Sequence, residues 1–157
     1  MRWDEVGEAR CSIARTLSVI GDRWTLLVLR DCFLGLRRFD DFQSDLGLSP
    51  HLLSTRLARL VEHGVLERHA YQQRPRRDEY RLSEKGRDLY PVIASLLRWG
   101  DRWMWDGERP PVELVHRSCG QHTTPVLACS ECGETLDARA VEPRFDPSAF
   151  PTRRETP

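Results

Sequence analysis

The most specific chemistry in this 157-residue sequence lies near its C-terminal end. His116-Arg117-Ser118-Cys119-Gly120 and Cys129-Ser130-Glu131-Cys132-Gly133 repeat one pattern: ligand, two residues, Cys, Gly. The glycine lets the backbone turn so that amide N–H groups face a thiolate sulfur. Three thiolates and one imidazole (His116, Cys119, Cys129, Cys132) satisfy a tetrahedral Zn²⁺ with all four positions closed, which makes a structural site. The parallel between the two knuckles favours His116 as the fourth ligand, with His122 as the alternative. Three other readings compete. A redox CxxC pair lacks its usual βαβ surroundings. A disulfide is disfavoured in a reducing compartment. The pattern could also be degenerate and empty.

A second group of side chains is cationic. Of 24 basic residues, 23 are Arg and only Lys85 is Lys. The guanidinium fork suits phosphate and guanine edges, although a codon bias produces the same excess. The formal net charge is zero, but what counts is where the charges lie. Residues 1–105 hold 18 basic and 15 acidic side chains, while residues 106–157 hold 6 and 9. Between Ser49 and Arg81 there are seven Arg against four acids. A basic front is therefore joined to an acidic back.

The elements that position these groups follow from periodicity and capping. Ile13, Leu17 and Ile20 predict a first helix over Glu8–Ile20. Asp22 is a good N-cap for a second, Arg23–Phe33, apolar nearly all round and expected to be buried. A short third helix runs from Arg37 to about Leu46. Ser49-Pro50 opens a fourth, with an N-cap and a proline in the first turn, and Gly64 closes it. In this fourth helix Leu53, Leu57, Leu60 and Val61 make one apolar face. The opposite face carries His51, Thr55, Ala58, Arg59 and Glu62, with Ser54 and Arg56 on its flanks.

Two short helices with a glycine turn between them predict a helix-turn-helix. Strands over Val65–Tyr71 and Arg77–Leu82, joined by a polar loop Gln72–Arg76, add a wing whose tip carries Arg74, Arg76 and Arg77. A long helix over Asp88–Trp105, with Pro91 in its first turn, bears the stripe Leu89, Val92, Ile93, Leu96, Leu97, Gly100 and Trp103. A chain of this size has little core left to cover that stripe, so it predicts a dimer helix. The expected fold class is mainly α with a small β-hairpin wing, a winged helix-turn-helix, plus a small zinc-knuckle β element with a strand over Pro125–Ala128. The expected domains are 1–105 (DNA binding and dimerisation), 106–142 (zinc-ribbon-like appendage) and 143–157 (a loosely ordered tail).

From Cys11 to about Trp103 the sequence resembles the HxlR family of winged helix-turn-helix regulators. The resemblance rests on Ile20-Gly21-Asp22-Arg23-Trp24-Thr25-Leu26-Leu27-Val28-Leu29, Arg38-Phe39-Asp40-Asp41-Phe42, Gly47-Leu48-Ser49-Pro50-His51-Leu52-Leu53-Ser54-Thr55-Arg56-Leu57, Arg77-Asp78-Glu79-Tyr80-Arg81-Leu82-Ser83-Glu84-Lys85-Gly86 and Trp99-Gly100. The sequence departs from the pattern at Asp78, where the family usually has an apolar residue. The resemblance implies a homodimer whose outer helices pack together, and binding to a two-fold operator near a promoter. Some family members use a thiol at the place of Cys11 to sense oxidants or electrophiles. Thiols at helix N-termini are the reactive kind, but Cys11 also fits a packing role. Cys32, amid Leu29, Phe33 and Leu34, is expected to be buried and inert.

A recognition helix needs small polar groups in its first turns, where base edges are closest. Ser49, His51, Ser54, Thr55 and Arg59 fit that requirement. Arg56 suits either a phosphate or an intramolecular carboxylate. Arg37 and Arg38 suit backbone positioning, and Arg74, Arg76 and Arg77 suit phosphate or minor-groove contact. No Ser/His/Asp arrangement, phosphate-cradling loop or open metal site predicts an enzyme. The N-terminus is too polar and acidic for a signal peptide, and a cytoplasmic, non-membrane protein is expected. The expectation is a DNA-binding transcriptional regulator, a repressor by preference and thiol- or ligand-responsive, with any small-molecule effector unnamed. The alternative is a zinc-stabilised interaction module whose winged helix does not read DNA.

Overall fold

The computed structural model describes residues 3–144. The chain divides into two compact units, Met1–Ala94 and Ser95–Pro157. The division falls inside a helix, ahead of the expected boundary at 105/106. Of the expected loose tail 143–157, residues from 145 onward lie outside the described residues.

The first unit opens with a 3-10 segment, Trp3–Glu8, so the first α-helix begins later than its periodicity suggested. It is α1, Ser12–Ile20, with Cys11 as N-cap. Then come α2 (Arg23–Leu34), α3 (Phe39–Leu46) and α4 (Pro50–Glu62). Both predicted side-chain caps form. Asp22 Oδ1 accepts from the N–H groups of Trp24 and Thr25, and Ser49 Oγ accepts from Leu52. Phe42 of α3 and Leu53, Leu57 and Leu60 of α4 pack fully buried against Val28 and Leu29 of α2. Each such side chain contributes about 1.5–3 kcal/mol by leaving water.

α2 is not apolar all round. Its buried face includes Thr25 and Asp31, while Leu34 is exposed. Asp31 is 1% exposed. Its Oδ1 accepts from Arg30 Nε at 2.7 Å, and Arg30 also reaches Asp45 Oδ2 at 2.5 Å. Burial outweighs Arg30 and pushes the Asp31 carboxyl above its ordinary pKa. Burial, with the Asp31 charge beside it, also pushes the Cys32 thiol up to about 12. Cys32 is half-buried rather than fully buried as expected, and its raised pKa fits the inert role.

The wing consists of β1 (Leu66–Gln73) and β2 (Arg76–Leu82), antiparallel, in register from Leu66↔Leu82 to Gln73↔Arg76 with a bulge at Tyr71. The strands are longer than expected, so the connection is Arg74-Pro75 alone rather than Gln72–Arg76. Tyr80 and Leu82 point one way and pack on the core. At the departure from the family pattern, Asp78 takes a hydrogen bond from Arg68 Nε across the ribbon at 2.6 Å. The pair replaces apolar packing with a charge-assisted contact.

The expected long helix forms as α6, Tyr90–Trp103, two residues shorter at each end than Asp88–Trp105 and with Pro91 in its first turn, and a short helix, α5 (Glu84–Arg87), precedes it. Ser83 ties this corner to the end of α4. Its hydroxyl donates to the Gly64 carbonyl at 2.6 Å and accepts from the Gly86 N–H at 3.0 Å. Gly86 lies so close to Val65 that an added Cβ would collide with the Val65 carbonyl oxygen. Gly86→Ala must therefore shift backbone against backbone. It is expected to lower stability by about 1–3 kcal/mol, read as a reduced urea midpoint with an unchanged slope.

In the second unit, past α6, the chain forms two tight turns around Cys119 and Cys132, a further turn at Asp137–Ala140, and no regular strand among its described residues. The strand expected at Pro125–Ala128 is absent. Ala128 instead makes an isolated bridge with Thr135, as Val115 does with His122.

Candidate nucleic-acid interface

Leu53, Leu57 and Leu60 bury one side of α4, which forces the other side outward. His51, Ser54, Thr55, Ala58, Arg59 and Glu62 are exposed there, as the sequence predicted, and Ser49 is exposed at the helix start. Among them the Thr55 hydroxyl donates to the His51 carbonyl at 2.9 Å, one turn back.

The two arginines of α4 are used inside the molecule. Arg56 Nε donates to Asp22 Oδ1 at 2.8 Å and Nη2 to Asp22 Oδ2 at 3.2 Å. Of its two expected roles, the structure shows the intramolecular carboxylate and not a guanidinium held out for phosphate. Arg59 Nη2 donates to the Ser18 carbonyl of α1. Arg59 is therefore not an idle cation aimed at a base edge, although its side chain stays exposed. Partial burial of Asp22 works to raise its pKa. The Arg56 hydrogen bond, the Thr25 N–H, the Arg56 charge and the Trp24 N–H outweigh this and hold the carboxyl below 3.8.

Free cations are found on the wing and ahead of α3. Arg37 is exposed, and its carbonyl accepts the Tyr80 N–H at 2.8 Å. Arg38 makes an isolated bridge with Glu79, so the segment ahead of α3 lies along β2. The Arg38 guanidinium stacks over the Tyr71 ring at 4.8 Å, an arrangement that holds it by cation–π attraction. Arg68 and Arg81 are paired with Asp78 and Glu79. Arg74 and Arg77 are exposed and make no ion pair among the described residues. The side chain of Arg76 lies outside the description.

The exposed face of α4 and the hairpin tip lie where the sequence predicted, but two features were missed. One is the use of Asp22 for both a cap and a clamp. The other is the stacking of Arg38. A capping Asp is visible in sequence, but its second partner is 34 residues away. Cys11 is half-buried, with its side chain making no capping hydrogen bond. The proposed metal ligands all lie in the second unit. His116 Nδ1 is 3.3 Å from Cys119 Sγ, and His122 Nδ1 is 3.3 Å from Glu113 Oε2. Hydrogen bonds from the Cys132 and Glu131 N–H groups hold the Cys129 thiol below its ordinary pKa.

A helix with a neutral polar face, presented beside a two-stranded ribbon with free guanidinium groups at its tip, defines a winged helix-turn-helix transcriptional regulator. Comparison with known proteins identifies the branch. Residues 19–108 match the HxlR-like helix-turn-helix, and the chain belongs to that family. It is 46% identical over 136 residues to the uncharacterized HTH-type transcriptional regulator Rv3095 of Mycobacterium tuberculosis, covering 87% of this chain and 86% of that protein. Over 94 residues it is 34% identical to the uncharacterized HTH-type transcriptional regulator YdeP of Bacillus subtilis, covering 59% of this chain and 73% of the relative. Among solved structures it is similar to PA1607, with a TM-score of 0.79 and 38% identity over 89% of this chain and 98% of that one. It is also similar to the redox regulator HypR in its oxidized form, with a TM-score of 0.55 and 31% identity over 59% and 96%.

Asp22→Ala removes the α2 cap and the Arg56 clamp together. Loss of such a cap costs about 0.5–2 kcal/mol, and urea titration near neutral pH is expected to show at least that. Because the folded pKa of Asp22 is depressed, its contribution is complete above the unfolded pKa and is lost as pH falls through the folded one. The difference between wild type and variant should therefore shrink in acid, below about pH 4.

Proposed function

We propose that this regulator acts in the cytoplasm as a homodimeric repressor that reads a two-fold operator and responds to thiol oxidation. The observation that carries the reading is the division of the surface. α4 offers hydroxyl and imidazole groups suited to base edges, and the wing offers free guanidinium groups suited to phosphate. In such an arrangement α4 enters the major groove, and Arg37, Arg74 and Arg77 fix its register from the backbone.

Dimerisation is supported by the apolar surface left uncovered. On α6, Val92, Leu96, Trp99 and Trp103 are exposed, with Trp103 at 60%. On α1, Ile13 is 71% exposed. Large side chains in that number along α6 mark an interaction surface, and dimeric regulators of this class bind half-sites about 34–36 Å apart, one turn of DNA. Repression needs nothing beyond a dimer seated on a promoter. The redox reading rests on the half-buried Cys11 at the N-cap of α1, and on the likeness to HypR, which is a redox regulator.

The test is binding to DNA upstream of the chain's own gene or a divergent neighbour, across a salt series. Thr55→Ala and His51→Ala are expected to weaken specific binding by about 1–3 kcal/mol and relax selectivity at one base pair each. Arg77→Ala should weaken all sequences alike and reduce the salt slope by about 1. Absence of DNA binding at low salt would leave the protein-interaction module instead.

Light scattering checks the dimer: Leu96→Glu with Trp99→Glu is expected to give a monomer that loses two-site binding. Diamide or a quinone should weaken operator binding by the wild type and leave Cys11→Ser unaffected. Equal responses from the two proteins would remove Cys11 from the mechanism.

A further inference from the structure

The two turns of the second unit are copies of one backbone unit. The His116 N–H donates to the Gln121 carbonyl at 2.9 Å, and the Cys129 N–H donates to that of Glu134 at 2.8 Å. Gly120 N–H returns to His116 O at 2.8 Å, and Gly133 N–H to Cys129 O at 2.9 Å. Thr123 N–H reaches Leu114 O at 2.8 Å, and Leu136 N–H reaches Leu127 O at 2.8 Å. The offsets are the same in both turns, and the bridges Val115↔His122 and Ala128↔Thr135 keep them. Gly120 and Gly133 hold φ of +69° and +76°. That left-handed backbone favours glycine, and in each turn the glycine's own N–H returns to the carbonyl of the first residue.

In this repeat His116 stands where Cys129 stands, Cys119 where Cys132 stands, and His122 where Thr135 stands. His122 therefore falls on the returning segment, bridged to Val115 and beside Glu113. The imidazole and thiol of the first turn, 3.3 Å apart, are already close to the spacing of two ligands on one tetrahedral ion. That spacing is about 3.5–3.8 Å for Zn–N near 2.0 Å and Zn–S near 2.3 Å.

We propose that the second unit binds one Zn²⁺ through His116 Nδ1 and the sulfurs of Cys119, Cys129 and Cys132, the two turns acting as a pair of knuckles. The site is closed, since four protein ligands fill the tetrahedron and leave no position for water or substrate. Binding forms four coordinate bonds, releases three thiol protons to solvent and leaves a centre of net charge −1. Among the described residues no three His, Cys, Asp or Glu side chains are gathered into one ligand set. The ion must therefore draw the two pairs together, and its binding energy is then also folding energy for the unit. The knuckles carry little else to fold around: Val115, Val126 and Leu127 are all exposed.

The test is made on the full chain. Elemental analysis after expression with ample zinc is expected to find one zinc per chain. The Co²⁺-substituted protein is expected to show intense tetrahedral visible bands with thiolate charge transfer. Cys119→Ser and Cys132→Ser should lose stoichiometric metal. His116→Ala should lose or alter the cobalt spectrum, while His122→Ala should keep it. Should a cysteine variant fail to fold, the wild type gives the same information. A mercurial should release its zinc in step with modification of three thiols and not before. Much less than one zinc per chain with all three thiols freely alkylated would overturn the proposal, as would weak octahedral cobalt bands. A spectrum lost in His122→Ala but intact in His116→Ala would overturn the ligand set.

Discussion

One carboxylate joins the helices on which the reading head depends. Asp22 Oδ1 accepts the Trp24 and Thr25 N–H groups at the start of α2 and also the Arg56 guanidinium of α4. A helix start leaves backbone donors without partners, so some acceptor is needed there. By supplying one that is also charged, the chain fixes α4 about its own axis relative to α2. The Arg59 contact to Ser18 adds a second tie on the same side. Two guanidinium groups that would otherwise be free on α4 are spent on holding the helix in place. A recognition helix must be aimed within narrow limits, because a base edge is met by only a few atoms.

The distribution of charge follows from that arrangement. The face of α4 that looks outward is nearly neutral, and unpaired guanidinium groups sit at Arg74 and Arg77 on the wing. The neutral total of the chain conceals this twice over, once because the C-terminal part is acidic and once because many Arg are already paired. Arg30, Arg56, Arg68 and Arg81 each face a carboxylate. Counting Arg along the sequence therefore overstates how many are free of a carboxylate, whereas Arg74 and Arg77 at the wing tip are exposed and make no ion pair among the described residues.

Local signals were legible and distant partners were not. Asp22, Ser49 with Pro50, and Gly64 marked helix ends through chemistry that acts within four residues, and those ends lie where expected. The apolar face of α4 was visible for the same reason, since a 3.6-residue period exposes it directly. The wing strands were read too short because a polar, two-sided ribbon such as Glu67–Gln73 has no alternating pattern to extend. Asp31 was missed because one acid among Leu and Val does not alter a helix's periodicity, yet its position on the inner face buries it. The destinations of Arg56 and Arg59 depend on contacts across 34 and 41 residues. A long side chain has several partners within reach, and only the assembled fold selects among them.

The exposed side of α4 has one more property. His51, Ser54, Thr55 and Ala58 lie outside the core, and the only tie among them is the Thr55 hydroxyl bonding its own helix. Residues that bear no packing can be exchanged at little cost in stability, since surface changes of this kind usually stay within about 0.5 kcal/mol. On the function proposed above, target choice and foldability are thereby uncoupled. A substitution on that face then changes what the helix offers to a partner while the packing of Phe42, Leu53, Leu57 and Leu60 stays intact.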